Sequence, residues 1–420
     1  MRDERYWVYD WLDKSSATST SDLRHLVGDD AALRKARDRA ASAMDAPHSP
    51  LPSTSILAGA GLDLSGRSAC GHLECRLGQV DELFRRAWLY FDQIVVSDEV
   101  SPQLVHMPDD PNESWRAKLL DNLQIAFHLR EIGAESIVGF QSKSHRGYCP
   151  VHAPEALSTV GLDDLGTYID EYIGVLEPDV ALLHTPTRSR PYITYTHPRM
   201  GEIIHHAKVK REDIGGDPRS FAARDLAMSH ISTLVADLTV ATELRVPLGT
   251  VDGIHKELMA KHGARTSPAE VALELNLPVL ENADIGAILK IREQEADAFE
   301  IFRARLRVAI EERLKLSPDD GAAVLAERIK QDVILPELYS IRRRLKKAQS
   351  SLAKKSGLGI GVGTLVTSCG LLTGLLPLAV VGVGLVAGAG VVPGQQYLDK
   401  KGEVELSDMF FLWHALQHGD

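Results

Sequence analysis

The sequence contains few cysteines. Only four occur in 420 residues, far too few for a disulfide-stabilised scaffold. The chain also lacks an apolar run near its start. It opens MRDERYWVYDWLD, with charges where a secretory signal peptide needs a hydrophobic segment. These absences predict a cytoplasmic protein whose thiols are reduced, and either inert or bound to a metal.

The chain has no internal repeat of fixed period, and 420 residues are too many for one typical core. Proline and serine near residue 50 mark 1–55 as a loosely attached N-terminal arm. In 56–275, helical patterns alternate with short β-branched runs, as in QVDELFRRAWLYF before QIVVS. The alternation predicts an α/β (mixed α+β) domain. A mainly α-helical C-terminal domain follows, with amphipathic helices in 276–355 and an apolar helical hairpin plus a last helix in 356–420.

The helical region has a clear apolar stripe. Four side chains at spacings of three and four share one helix face: Phe299, Phe302, Leu306 and Ile310. A second helix is expected to begin at Ser317, because serine caps helices and Pro318 suits the first helical position. A kink is expected at Pro336.

Residues 356–398 contain no charge at all. One helical crossing of a bilayer needs about 20 residues, so this length suits two crossings. Gly374 and Pro377 lie near the middle and would interrupt a continuous helix. Gly370 and Gly374 have the spacing that lets helices approach closely in lipid. The segment therefore predicts a membrane hairpin, and a hairpin buried inside a soluble helical bundle is the alternative.

A basic run precedes the uncharged segment. It consists of Arg342, Arg343, Arg344, Lys346, Lys347, Lys354 and Lys355. Positive flanks keep both ends of a hairpin in the cytoplasm and favour an anionic inner-membrane surface. A solvated helix face is the ordinary alternative. The remaining chain is strongly acidic, since the whole protein carries a net charge of -11, and this argues against broad nucleic-acid binding.

In character, residues 285–420 resemble the hydrophobic hairpin of pore-forming colicins. The resemblance implies a conditional switch, in which the hairpin stays hidden until a signal from the α/β part releases it. A membrane pore would require several copies of the chain, and hence a homo-oligomer. The leading hypothesis is therefore a cytoplasmic bacterial effector or toxin-like protein, of the kind used in antiviral defence, that conditionally enters the inner membrane.

Two short segments carry thiolates and imidazoles, the ligands that structural zinc prefers. The first is CGHLEC and the second is HRGYCPVH, whose CPVH part looks like half of a zinc knuckle. The preferred ligands are Cys70, Cys75, Cys149 and His152. Spacing alone discriminates poorly, so ordinary thiols and histidines remain the alternative.

The stretch ADLTVATELRVPLGTVD, residues 236–252, is similar to the helix-strand segment of PIN-like nucleases. The resemblance implies that Asp237 and Asp252 are ligands of Mg or Mn, and Asp98 at the end of QIVVSD is a third candidate. Aspartates that merely cap helices and turns are the alternative. The nuclease hypothesis makes the hairpin a membrane anchor. A non-enzymatic interaction scaffold is a third hypothesis, because no catalytic motif in the chain is specific.

A further resemblance and a pair of adjacent histidines do not indicate any activity. The stretches LYFDQIVV, LRVPLGTVD and AFEIFR loosely resemble a family of uncharacterised bacterial proteins, which implies a fold only. His205 and His206, near His197 and Arg199, are candidates for lining a pocket. As neighbours on a helix they would point about 100° apart, so they are not expected to act together as ligands.

Overall fold

The computed structural model describes most of the chain before residue 340. The described ranges are 5–45, 50–52, 54–65, 71–141, 165–200, 204–261, 266–275, 285–294 and 296–339. The basic run, the uncharged segment and the C-terminal tail lie outside them. The chain divides into two compact units, residues 1–273 and 274–420.

The first unit begins with helices. In chain order, the α-helices and β-strands in its described residues begin with α1 Trp7–Lys14, α2 Thr20–Gly28, α3 Asp30–Asp45, β1 Ser55–Ala58, α4 Leu73–Ala87, β2 Gln93–Ser97, α5 Val100–Val105, α6 Glu113–Glu131, β3 Val138–Gln141 and α7 Leu165–Leu176. They are followed by β4 Ala181–His184, β5 Tyr192–Thr196, β6 His205–Lys208, α8 Pro218–Leu244, β7 Leu248–Gly249, α9 Gly253–Lys261 and α10 Pro268–Glu274. The alternation of helices with short strands confirms the predicted mixed α/β class.

Helices α1 to α3 form part of a hydrophobic core rather than the loosely attached arm expected from composition. Tyr9 and Leu12 of α1 are fully buried, as is Leu33 of α3. They pack in one cluster with side chains of α5 and α6, among them Leu104 and Leu123. The difference arises because the proline- and serine-rich stretch that suggested an arm begins only after α3 has ended.

Four strands form a parallel sheet in the order β3-β2-β1-β7. Every residue of β1 is buried, as expected for the central strand of a parallel sheet. The long helix α8 contributes Leu226, Ile231 and Leu234 to the core cluster that also contains Leu57 of β1 and Val95 of β2.

The strand order reverses at β1. The chain passes from β1 to β2 and β3 on one side, and β7 later pairs with β1 on the other side. In open parallel sheets, ligands bind in the crevice outside the carboxyl ends of the strands at such a reversal. Here those ends are followed by Gly59 after β1 and by Thr250 after β7.

The other three strands form an antiparallel sheet in the order β4-β5-β6. His205 and His206 lie on β6 and therefore not on a helix. Because successive strand residues point to opposite faces, the two side chains are turned away from each other. His205 and His206 are thus not expected to bind one ligand together. The reason is the alternation of a strand and not the turn of about 100° between neighbours on a helix.

The described part of the second unit is helical: α11 Ile285–Gln294, α12 Ala296–Leu316 and α13 Ala322–Ile329, which continues into a π-helical turn at Lys330–Ile334. All four residues of the predicted apolar stripe are buried on α12. The predicted helix start at Ser317 is wrong. The Ser317 N–H donates to the Arg313 carbonyl at 2.9 Å and so closes α12, and Gly321 precedes the first residue of α13.

Candidate metal centre

Two histidines and one aspartate meet beside the strand reversal. His230 lies on α8, Asp252 follows β7, and His255 lies in the first turn of α9. One potential ligand atom from each of these three residues lies within 4.8 Å of the others. The rings of His230 and His255 meet edge to face, with their centroids 5.5 Å apart. We call His230, Asp252 and His255 the His2Asp group.

The local backbone explains the position of the two residues that follow β7. Asp252 immediately precedes α9, and its Oδ1 accepts a hydrogen bond from the His255 N–H at 2.9 Å. A carboxylate before a helix commonly satisfies a free N–H of the first turn in this way. The cap places the Asp252 carboxylate beside the third residue of the helix, and that residue is the histidine.

The two turns at the strand reversal are joined by hydrogen bonds. The Gly59 N–H donates to the Gly249 carbonyl at 2.7 Å, and the Thr250 hydroxyl donates to the Ala60 carbonyl at 2.8 Å. Gly61 adopts a left-handed backbone conformation with φ of 82°, which glycine adopts without strain. The carboxyl ends of β1 and β7 are thereby held together next to the His2Asp group.

His255 is completely buried, and its two ring nitrogens have different environments. Nε2 lies 3.0 Å from the carbonyl oxygen of His230. Because a carbonyl can only accept, Nε2 carries the proton and donates a hydrogen bond to it. Nδ1 is buried without a hydrogen-bond partner among the described residues. Its lone pair is therefore available. A metal-binding histidine typically donates its other N–H to a backbone carbonyl or carboxylate, which fixes the tautomer.

Burial keeps both imidazoles neutral at physiological pH. Desolvation lowers the pKa of His230 to about 4, although the charge of Asp252 opposes that shift. Desolvation also lowers the pKa of His255, against the opposing charges of Asp252 and Asp237. The 3.9 Å approach of His230 Nδ1 to Asp252 Oδ1 is consequently no ion pair at neutral pH. Neutral imidazole is the form that binds metals.

Two of the three aspartates named from the sequence, Asp237 and Asp252, lie near the strand reversal. Asp237 lies on α8, seven residues or about two turns after His230, and is 2% exposed. A β-carbon added to Gly59 would lie 3.0 Å from Asp237 Oδ2, so this carboxylate lies against the turn that follows β1. Asp237 and Asp252 both act electrostatically on His255.

Asp98 performs a different task. It follows β2, and its Oδ1 accepts hydrogen bonds from the backbone N–H groups of Val100 and Ser101, both at 3.0 Å. The same oxygen accepts a hydrogen bond from the Tyr6 hydroxyl. These contacts are those of a carboxylate that caps a helix, here α5, as in the alternative interpretation of the aspartates.

The zinc hypothesis falls largely outside the described residues. Cys75 lies on α4 and is exposed, while Cys70, Cys149 and His152 are not described. The basic run and the hairpin residues Gly370, Gly374 and Pro377 are not described either. None of the helices in the described ranges is long and apolar enough to cross a bilayer.

No protein-family model, curated protein or solved structure matches this chain. The site is therefore characterised by its own geometry. Sequence reasoning missed His230 and His255, although the pattern contained two signals for them. His230 and Asp237 are seven residues apart on one helix, and Asp252 precedes His255 by three residues at a helix start. The first spacing places both side chains on one helix face, and the second is that of a helix cap and the residue whose N–H it binds.

Proposed function

We propose that this protein is a metal-dependent hydrolase whose ion is held by the His2Asp group. The observation that carries the proposal is the buried, unpartnered Nδ1 of His255, whose ring is oriented by the His230 carbonyl. A lone pair placed in this way without a proton donor loses hydrogen bonding that water would supply. A bound cation restores that interaction.

The ligand set suits a transition metal. Two imidazoles and one carboxylate are ligands for zinc, iron or manganese, and three protein ligands leave a coordination position for water. Metal–ligand bonds of about 2.0–2.2 Å keep two ligand atoms at most about 4.4 Å apart, so the group would contract slightly on binding. The Asp252 side chain is 16% exposed, so solvent would reach an ion bound to it.

Hydrolysis follows from what such an ion does. A bound metal lowers the pKa of its water towards 7 and so supplies hydroxide at neutral pH. Asp237 would act as a further ligand or as the carboxylate that accepts a proton from this water. The substrate class we propose is a phosphodiester, in keeping with the resemblance of residues 236–252 to PIN-like nucleases. Of the two ions that this resemblance implies, Mn fits two imidazoles better than Mg, which prefers oxygen ligands. Asp98 lies outside the catalytic set.

The proposal is tested by metal content and activity together. Purified protein is analysed for bound metal, and hydrolysis of bis(p-nitrophenyl) phosphate is measured after reconstitution with zinc, manganese, iron or magnesium. Asp252→Asn keeps an acceptor for the His255 N–H but removes the charge, so it is expected to lose metal and activity while remaining folded. His106→Gln changes an exposed histidine elsewhere and serves as the control.

Two outcomes would contradict the proposal. One is wild-type protein that binds no metal under any of these conditions. The other is an Asp252→Asn variant that retains full metal content and activity. Cys149→Ser belongs in the same series, because loss of zinc and of thermal stability in that variant alone would identify the predicted cysteine site and leave the His2Asp group without an ion.

Membrane association remains a second proposal, carried by the 43 uncharged residues between 356 and 398 and the seven Lys and Arg before them. It is compatible with hydrolase activity, since a hairpin would then anchor the enzyme to the inner membrane. Expression toxicity separates the two roles. Loss of toxicity on deleting 357–392 favours a membrane effector, whereas loss on Asp237→Asn with the hairpin intact favours the hydrolase.

A further inference from the structure

The antiparallel sheet has one buried face and one open face. Its buried side chains include Ile193, Tyr195 and Ala207. The alternate positions on β5 and β6 carry Tyr192, His206 and Lys208, all of which are exposed. We call the open side, together with the cations at its ends, the open sheet face.

Aromatic and imidazole rings lie side by side on the open sheet face. The ring centroids of His184 and Tyr192 are 5.5 Å apart, and those of Tyr192 and His206 are 6.4 Å apart. The Thr194 hydroxyl and His206 Nδ1, at 3.0 Å, hold one of the imidazoles in place. Tyr192 is 38% exposed, so its ring is available for stacking.

Positive charge surrounds these rings. Exposed cations on the strand ends and turns are Arg188, Arg190, Lys208, Lys210 and Arg211. Glu202 is the only acidic residue of the sequence between 184 and 211, and Glu212 and Asp213 follow directly. A cluster of this kind is conspicuous in a chain with a net charge of -11.

Strand pairing holds the cations around the rings. Tyr192 pairs with Lys208 across β5 and β6. The Val209 N–H donates to the Pro191 carbonyl at 3.0 Å, and this bond brings Lys210 beside the turn that carries Arg188 and Arg190. The positive charges are therefore fixed by the backbone near the exposed tyrosine.

We infer that the open sheet face binds single-stranded nucleic acid. Phosphates pair with lysine and arginine, and unpaired bases stack on exposed rings. A duplex hides its bases, so the rings favour single strands. The net negative charge of the chain makes a cationic surface of this kind a favoured contact for a polyanion. Broad nucleic-acid binding is thus not required, in line with the acidic composition.

The position of β6 connects this surface with the His2Asp group. His206 lies on the open face, while His205, the preceding residue of the same strand, stacks on the buried Tyr195. The buried face of the sheet packs against α8, the helix that carries His230: the Tyr195 hydroxyl donates to Asp225 Oδ2 at 2.8 Å, and Ala207 shares a core cluster with Ile231. Among the described strands β6 is also an edge strand, around which a flexible single-stranded nucleic acid can pass. We therefore infer that single-stranded nucleic acid is the substrate class of the proposed hydrolase. This step rests on the proposed function, whereas binding itself needs no metal.

Binding is measured in EDTA, so that hydrolysis does not interfere. The probe is a fluorescein-labelled oligothymidylate of about 20 nucleotides, long enough to span an ordinary single-strand site, and anisotropy is recorded at several salt concentrations. We expect log K to fall linearly with log salt, with a slope of about -0.7 per phosphate contacted. A hairpin duplex of equal length should bind more weakly.

Matched charge variants locate the contact. The test variant removes three cations of the open face: Arg190→Gln, Lys208→Gln and Lys210→Gln. The control removes three exposed cations elsewhere, leaving the same net charge: Arg34→Gln, Lys35→Gln and Lys118→Gln. The test variant is expected to lose roughly tenfold in affinity and to have a shallower salt slope, and the control to retain both. Tyr192→Ala should weaken binding by roughly fivefold or more.

Equal affinity of the test and control variants would overturn the inference, as would a Tyr192→Ala variant that binds like the wild type. Anionic phosphatidylserine vesicles form a further arm: binding to vesicles that depends on the same cations but not on Tyr192 would assign the face to lipid. Nucleic-acid binding without any metal-dependent hydrolysis would support the surface and refute the hydrolase. Metal-dependent hydrolysis of a small phosphodiester without oligonucleotide binding would do the reverse.

Discussion

The Nε2 atom of His255 and the backbone carbonyl oxygen of His230 lie 3.0 Å apart. Because a carbonyl can only accept, this contact fixes the proton on Nε2 and leaves the lone pair on Nδ1. It also connects the first turn of α9 to the middle of α8. The orientation of the His255 ring is therefore set by the backbone of His230. A change in either helix is expected to alter metal affinity.

Stability without metal should fall between pH 6.5 and pH 4. An unfolded histidine has a pKa near 6.5, whereas burial lowers the pKa of His230 to about 4. The unfolded state thus binds more protons in this window, so the contribution to stability is complete above about pH 6.5 and is lost as pH falls towards 4. It amounts to at most about 3 to 4 kcal/mol.

The measurement is a series of thermal melts in EDTA from pH 8 to pH 4. His230→Gln should have a smaller loss of melting temperature across the window than the wild type, because it removes a titrating group. His106→Gln, an exposed position, should behave like the wild type. Identical slopes for all three proteins would show that the pKa of His230 is the same in the folded and unfolded states, which contradicts the prediction.

Asp98→Ala should destabilise the protein without affecting its metal. The substitution removes the acceptor for the first N–H groups of α5, and loss of a helix cap costs about 1–2 kcal/mol. Burial and the charge of Asp98 raise the pKa of Tyr6 well above its usual value, so Tyr6 remains a donor. The destabilisation of a Tyr6→Phe/Asp98→Ala double variant should therefore be smaller than the sum of the two single destabilisations. Metal loss in Asp98→Asn would instead place Asp98 in the catalytic set.

Gly59→Ala should disturb the metal centre. The new methyl group would lie 2.7 Å from Leu248 Cδ1 and 3.0 Å from Asp237 Oδ2, and forced overpacking of this kind typically costs about 1–3 kcal/mol. Gly78→Ala is the matched control, because Gly78 lies within α4 and an added β-carbon there meets nothing within 4 Å. Alanine should stabilise that helix by up to about 1 kcal/mol. Urea unfolding and metal titration of both variants provide the comparison.

Val381→Arg and Gln395→Arg test the hairpin. A charge at the centre of a membrane helix costs about 2.5–3.5 kcal/mol, and far less near the interface. If the hairpin enters lipid, the first variant should lose co-sedimentation with anionic liposomes, the second should keep it, and both should melt like the wild type. If Val381→Arg unfolds the protein and the wild type never sediments, the segment is a buried hairpin, because an unpaired buried charge destabilises the whole fold.

Local patterns predicted the elements well where neighbouring residues decide the outcome. The run QVDELFRRAWLYF contains most of α4, and QIVVS coincides with β2. The predicted helix start at Ser317 was wrong because a serine followed by proline also suits the turn that ends a helix. Asp237 and Asp252 were singled out from a short resemblance, whereas His230, which precedes them, and His255, which follows them, were not.

The sequence alone determined the mixed α/β class, the apolar stripe of α12 and the uncharged length of 356–398, since periodicity and charge are properties of local chain. The His2Asp group was decided by the tertiary structure. His230 and His255 are 25 residues apart and meet only because β7 returns to the side of β1 opposite β2. Strand order depends on which distant surfaces bury each other, and no spacing in the sequence encodes it. The same holds for the open sheet face, whose cations are gathered by the pairing of β5 with β6.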